Sequence, residues 1–231
     1  MATTRNSPEH SATQGPALEN PHMSGLSLGD IRQQAEDCRR CDLYKHATQL
    51  VFGAGPENAK LMLVGEQPGD KEDLAGKPFV GPAGTVLTEC LEEAGIEREA
   101  CYLTKAVKHF KYEQRGKRRL HSKPNAGEVQ RCSWWLGAEL ARLRPAVVVA
   151  LGATASGALL GRSIRVTKDR GRPLEVGSRF LIVVTIHPSY LLRIRDRLNA
   201  NREREHFVAD LRLANELLSG KIEPAARRQT R

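Results

Sequence analysis

No apolar run in this 231-residue sequence approaches the roughly 18 residues that a membrane-crossing helix needs. The segment from Met1 to about Ser24 is polar, rich in Pro, Ser, Thr and His, and lacks the apolar centre of a signal peptide, so it reads as a disordered tail. Together these absences exclude a membrane role and make a cytoplasmic chain the expectation. No internal repeat of any period is present, which excludes stacked-repeat architectures. Cysteine is scarce, with five residues, and in an intracellular chain these are ligands or core thiols rather than disulfides. Acidic residues are in deficit, 27 against 36 basic, and the resulting net charge of +9 favours an anionic partner, of which nucleic acid is the commonest.

What is present suits one substantial core: 40% of the residues are hydrophobic. The expected organisation is a disordered N-terminal tail over 1–26, one domain over 27–219 and a basic C-terminal tail over 220–231. Continuously apolar runs at Leu61 to Val64, Tyr102 to Val107, Ala146 to Leu151 and Phe180 to Thr185 predict strands covered on both faces. Helical patterns fall between and after them, at Ala83 to Ala94, Glu128 to Leu143, Ala153 to Leu160 and Arg204 to Leu218. A further short helix follows Ser27, whose spacing to Asp30 resembles a capping box. The alternation predicts an α/β fold, a three-layer α/β/α sandwich around a four-stranded, mostly parallel sheet.

Chemistry-bearing residues collect where these strands end. Gly65-Glu66-Gln67-Pro68-Gly69-Asp70-Lys71-Glu72-Asp73 follows the first strand, and Ile186-His187-Pro188-Ser189-Tyr190-Leu191-Leu192 follows the last. Such edges are where α/β proteins build active sites. Between them lies a basic loop, Lys117-Arg118-Arg119-Leu120-His121. Taken singly, each has a plainer explanation: a solvated acidic loop, a turn histidine, an exposed basic run, a core-anchoring Phe79, and Trp134 and Trp135 as helix packing.

Cys90 and Cys101 read as small core residues, the first in helical register with Val86, Leu87, Leu91 and Ala94. Cys38 and Cys41 form a C-x-x-C pair whose spacing lets two thiolates reach one metal centre, with Cys132 and His109 as candidates to complete it. Thiolate softness suits an iron-sulfur cluster or zinc, and a redox dithiol is the other open use of such a pair.

The strand-exit run Gly65 to Gly69, the loop Gly76-Lys77-Pro78-Phe79-Val80-Gly81-Pro82-Ala83-Gly84, the upstream cysteine pair, Cys132 and His187 to Arg193 resemble the iron-sulfur (family 4) uracil-DNA glycosylases. Lys117 to His121, with His109 where most members carry cysteine, is similar to the X subgroup, which traps the sugar of uracil-containing DNA covalently on a loop histidine. The resemblance implies a DNA-repair enzyme acting as a monomer on single- or double-stranded uracil-containing DNA. It implies a [4Fe-4S] cluster on Cys38, Cys41, His109 and Cys132, with zinc as the alternative. It also implies Glu66, His121 and His187 as catalytic groups and Gln67, Asp73, Phe79, Lys105, Arg119 and Ser189 as substrate contacts, with Leu191 and Leu192 filling the gap left in the duplex.

One position departs from the family pattern. Lys105 stands where members usually present an asparagine amide, and an ammonium offers donors only. The competing expectation is therefore a metal-stabilised DNA-binding module whose base selectivity is lost or altered. A small-molecule nucleoside hydrolase is a third.

Overall fold

The computed structural model describes residues 25–176 and 180–222. The expected tails therefore lie outside the described residues, apart from 25–26 and 220–222. Helix α1 (Leu28–Glu36) begins at Ser27, whose hydroxyl accepts from the Asp30 N–H while the Asp30 carboxylate accepts from the Ser27 N–H, the expected capping box. The chain then alternates β1 (Leu61–Gly65), α2 (Asp70–Ala75), α3 (Pro82–Glu93), β2 (Tyr102–Lys105), β3 (Tyr112–Arg115), β4 (Arg118–His121), α4 (Ala126–Leu143) and β5 (Val147–Leu151). It ends with α5 (Ala153–Leu160), α6 (Val166–Asp169), β6 (Pro173–Val176), β7 (Phe180–Thr185), α7 (Pro188–Leu191) and α8 (Arg197–Leu218).

The sheet has five strands in the order β2-β1-β5-β7-β6, not the four expected. The four anticipated strands are mutually parallel, and β6 adds an antiparallel edge along β7. A proline opening a four-residue edge strand gives no apolar run to read, which is why β6 escapes the pattern. Alternate strand residues face opposite layers. Met62, Val64, Val148, Ala150, Ile182 and Val184 pack with α1, α4 and α5, while Leu61, Leu63, Val147, Val149, Leu151 and Val183 pack with α3 and α8. Fully burying each such side chain contributes roughly 1.5–3 kcal/mol, so the two-faced sheet is the main source of stability.

Three boundaries differ from expectation for local reasons. Helix α4 starts at Ala126 because the Asn125 side chain accepts from the Glu128 N–H, and α8 starts at Arg197 because Asp196 does the same for Asn199. Strand β2 stops at Lys105, after which the Ala106 and Val107 N–H groups donate to the Gly65 and Glu66 carbonyls, at 2.8 and 2.9 Å. The basic run is not a loop: Arg118–His121 is the second strand of an antiparallel hairpin with β3, turning on Gly116 at φ 57°.

Candidate active site

All four parallel strands deliver a polar group at the same edge. Strand β1 runs into Glu66, β2 ends on Lys105, β5 passes through Gly152 to Thr154, and β7 leads to His187. The edge is crowded enough that Gly65 has no room for a side chain. A Cβ there would stand 2.9 Å from the Phe79 ring and 3.0 Å from the Lys105 side chain.

Glu66 sits between two donors. The Thr154 hydroxyl donates to Oε2, and His121 Nε2 lies 3.2 Å from Oε1. Burial pushes the Glu66 carboxyl up, but the hydrogen bonds from His121 and Thr154, aided by the fields of His121 and His187, outweigh it and hold it below the ordinary range. Glu66 is thereby kept as a carboxylate. His187 caps α7, with the Ser189 N–H donating to Nδ1 at 3.2 Å and the Ser189 hydroxyl at 2.8 Å from the same atom. An accepting Nδ1 places the ring proton on Nε2. Burial, then the neighbouring Lys105 charge, lowers the imidazole to about 3, so His187 is a neutral donor at physiological pH.

Phe79 has φ 57°, a left-handed conformation that a bulky residue adopts only when its surroundings compel it. Here the Phe79 N–H donates to Glu72 Oε1, and Arg98 Nη2 donates to the Phe79 carbonyl at 3.0 Å. Gly84 makes this possible, since a Cβ there would collide with that carbonyl. The Phe79 ring lies near His187, with centroids 6.4 Å apart and planes 25° from parallel. Lys105 is 2% exposed, its Nζ 3.6 Å from the Phe79 centroid and 3.0 Å from Glu72 Oε1. Burial lowers the Lys105 ammonium, and the Glu72 charge opposes that shift.

The hairpin that carries His121 is fastened by the remaining expected residues. Gln67 Nε2 donates to the Lys111 and Ser122 carbonyls, both at 3.0 Å, and so ties together the two chain ends at the hairpin's base. Asp73, fully buried, accepts from the Thr48 N–H at 3.0 Å and from Arg119 Nη1 at 2.6 Å. Arg119 Nε also donates to Asp70 at 2.6 Å. Gln67, Asp73 and Arg119 are thus engaged with one another's elements, and His121 stands half-exposed at the hairpin's end. Of the two leucines, Leu191 packs against the α3/α8 core while Leu192 is 53% exposed.

Cys38, Cys41 and Cys132 lie within one another's electrostatic fields. Cys38 and Cys132 are buried and Cys41 is half-buried. Burial raises the Cys132 thiol to about 12, with the fields of Cys41 and Cys38 adding to it, and burial likewise raises Cys41. The Trp135 Nε1–H and the Lys108 backbone N–H point at the Cys38 and Cys132 sulfurs, each at 3.1 Å. His109 is buried and lowered to about 4 by that burial, so its ring is neutral and ligand-competent. Among the described residues no three His, Cys, Asp or Glu side chains are disposed to hold a metal ion. Thiols with N–H groups aimed at sulfur suit a thiolate-bound metal centre, an iron-sulfur cluster or zinc alike. Cys90 and Cys101 are buried core thiols, both raised to about 11 by burial.

Sequence reasoning missed Thr154 and Glu72. No local pattern marks Thr154, because only the packing of α5 beside β1 brings it to Glu66. Glu72 lay within the acidic run but was indistinguishable there from its neighbours.

Residues 52–212 match the family model described as the uracil DNA glycosylase superfamily. A type-4 uracil-DNA glycosylase of Thermotoga maritima is 35% identical over 189 residues, covering 81% of this chain and 93% of the relative. One from Archaeoglobus fulgidus is 35% identical over 205 residues, 86% of this chain and 96% of the relative. A type-5 uracil-DNA glycosylase of Pyrobaculum aerophilum is more distant, 31% identical over 148 residues and 58% of this chain.

Proposed function

The chain belongs to the uracil DNA glycosylase superfamily, and on that premise we propose that it excises uracil from DNA and captures the sugar on His121. The observation that carries the proposal is the chain of contacts Thr154 to Glu66 to His121, facing the neutral donor His187 across one sheet edge.

A base inside a duplex must first leave the stack, at a cost of a few kcal/mol. Phe79 offers the extruded base the ring face that Lys105 does not cover, Leu192 is exposed to occupy the vacated space, and Ser189 at the start of α7 contacts the adjoining phosphate. As the bond between C1′ and N1 breaks, its electron pair passes to the base. His187 Nε2–H donates to the uracil oxygen on which that charge accumulates. The Glu66 carboxylate faces the positive sugar. An imidazole nitrogen of His121 then gives its lone pair to C1′, and the proton on the other ring nitrogen passes to Glu66 or to solvent. No water is needed for this step, and the product is a sugar-imidazole adduct instead of a free abasic site. Arg119 holds the hairpin that presents His121.

Cys38, Cys41, His109 and Cys132 would hold a [4Fe-4S] cluster. When bound, the cluster serves a structural purpose, joining the segment after α1 to α4 and to the chain that leads into the hairpin. The protein acts as a monomer in the cytoplasm, and no helix among the described residues is long and apolar enough to cross a membrane.

Incubation with a uracil-containing oligonucleotide gives a band shift that survives SDS, and His121→Ser abolishes it. An unshifted wild-type protein with release of free uracil would leave a hydrolytic enzyme and remove the adduct. The placement of Lys105 on the Phe79 ring favours a second reading, a DNA-binding protein that no longer admits uracil. It predicts salt-sensitive binding with no preference for uracil and no released base.

A further inference from the structure

Lys105 alone cannot read uracil. The base presents an N3–H donor beside an O4 acceptor, and an ammonium matches only the second. The structure supplies the other half from a different element. Glu72, on α2, places its carboxylate 3.0 Å from Lys105 Nζ, and both side chains are buried beside Phe79. A carboxylate offers about four acceptor sites. Three are taken, by the Phe79 N–H, the Gly69 N–H and Lys105 Nζ, which leaves one open. The ammonium has three protons, and Glu72 takes one. The open acceptor site is on Oε2, the oxygen that Lys105 does not touch, so an unused donor and an unused acceptor belong to one buried ion pair at the end of β2, the two functions an amide would present, but carrying full charges.

We propose that Lys105 and Glu72 together form the base reader of this pocket, Lys105 donating to O4 and Glu72 accepting from N3–H. The proposal rests on the uracil-excising reading of the site and names the groups that select its base. Cytosine is rejected at both contacts, because its ring nitrogen N3 meets a carboxylate and its 4-amino group meets an ammonium. Charge-assisted hydrogen bonds are about twice as strong as neutral ones, so the pair needs no amide to discriminate. Thymine shows the same edge as uracil, so its exclusion falls to other groups.

The test uses oligonucleotides identical except for uracil, cytosine or N3-methyluracil, the last lacking the N3–H. Fluorescence anisotropy with the wild-type protein measures binding, and base release or adduct formation measures chemistry. Uracil is expected to bind and react about ten- to a hundredfold better than N3-methyluracil, the worth of one hydrogen bond to a charged group. Lys105→Met should narrow the uracil-to-cytosine preference at least tenfold, and Lys105→Asn should restore it. Equal binding of uracil and N3-methyluracil overturns the proposal, as does a folded Lys105→Met protein with unchanged preference. A protein that prefers uracil in binding but neither releases it nor forms an adduct sustains the base reader while defeating the glycosylase reading.

Discussion

Thr154→Val asks whether Glu66 owes its ionised state to its neighbours. Valine keeps the shape of threonine and removes the hydroxyl that donates to Glu66 Oε2. A hydrogen bond to a charged group contributes about 1.5–3 kcal/mol. Its loss removes that preference for the anion and raises the Glu66 carboxyl. In the wild type, burial already pushes upward and is outweighed by His121 and Thr154. With Thr154 silenced, burial gains, and the carboxyl moves up from its depressed position. Because Glu66 acts as the anion, the acid limb of the rate-pH profile moves to higher pH, and Thr154→Ser moves it back. A Val variant whose acid limb does not move refutes the assignment of Thr154, and a Ser variant that behaves like Val does the same.

The same substitution has a signed effect on stability. A carboxyl depressed in the folded state contributes stability above its unfolded pKa, and that contribution is lost as pH falls through the folded value. In urea titrations the Val variant is therefore less stable than wild type near neutral pH, and the two converge in strong acid.

Glu139, fully buried, accepts from Lys108 Nζ, Thr104, Tyr102 and the Gly53 N–H, so Glu139→Ala strands the Lys108 charge and costs about 3–5 kcal/mol in urea unfolding. Removing both charges in Lys108→Met/Glu139→Leu recovers most of that loss. For the cysteines, protein purified without oxygen is brown with broad visible absorption and contains iron, whereas Cys132→Ala is pale and loses thermal stability. Colourless wild-type protein containing one equivalent of zinc would replace the cluster with a mononuclear site.

The strands that build the site were legible because burial on both faces leaves uninterrupted apolar runs, as at Val147–Leu151, and the polar residues just past them announce an edge. The β3 and β4 pair was harder, since its side chains are mostly exposed and carry no apolar alternation. Its one local sign was Gly116-Lys117 between Arg115 and Arg118, a two-residue turn with glycine first. The roles of Gln67 and Asp73 were legible only as polarity. Their partners at Ser122 and Thr48 lie 55 and 25 residues away, and no periodicity encodes such pairings. Lys105 stood out as an anomaly of type, but its pairing with Glu72 depends on how α2 settles over the end of β2.

The mounting of His121 separates scaffold from reagent. Among the described residues the strands of 112–121 pair with each other and contribute no strand to the five-stranded sheet. They are bolted on by Gln67 at the root and by Arg119 against α2. A different decapeptide ribbon that preserves those two fastenings could carry another reactive side chain to the same spot, leaving the core and its folding untouched.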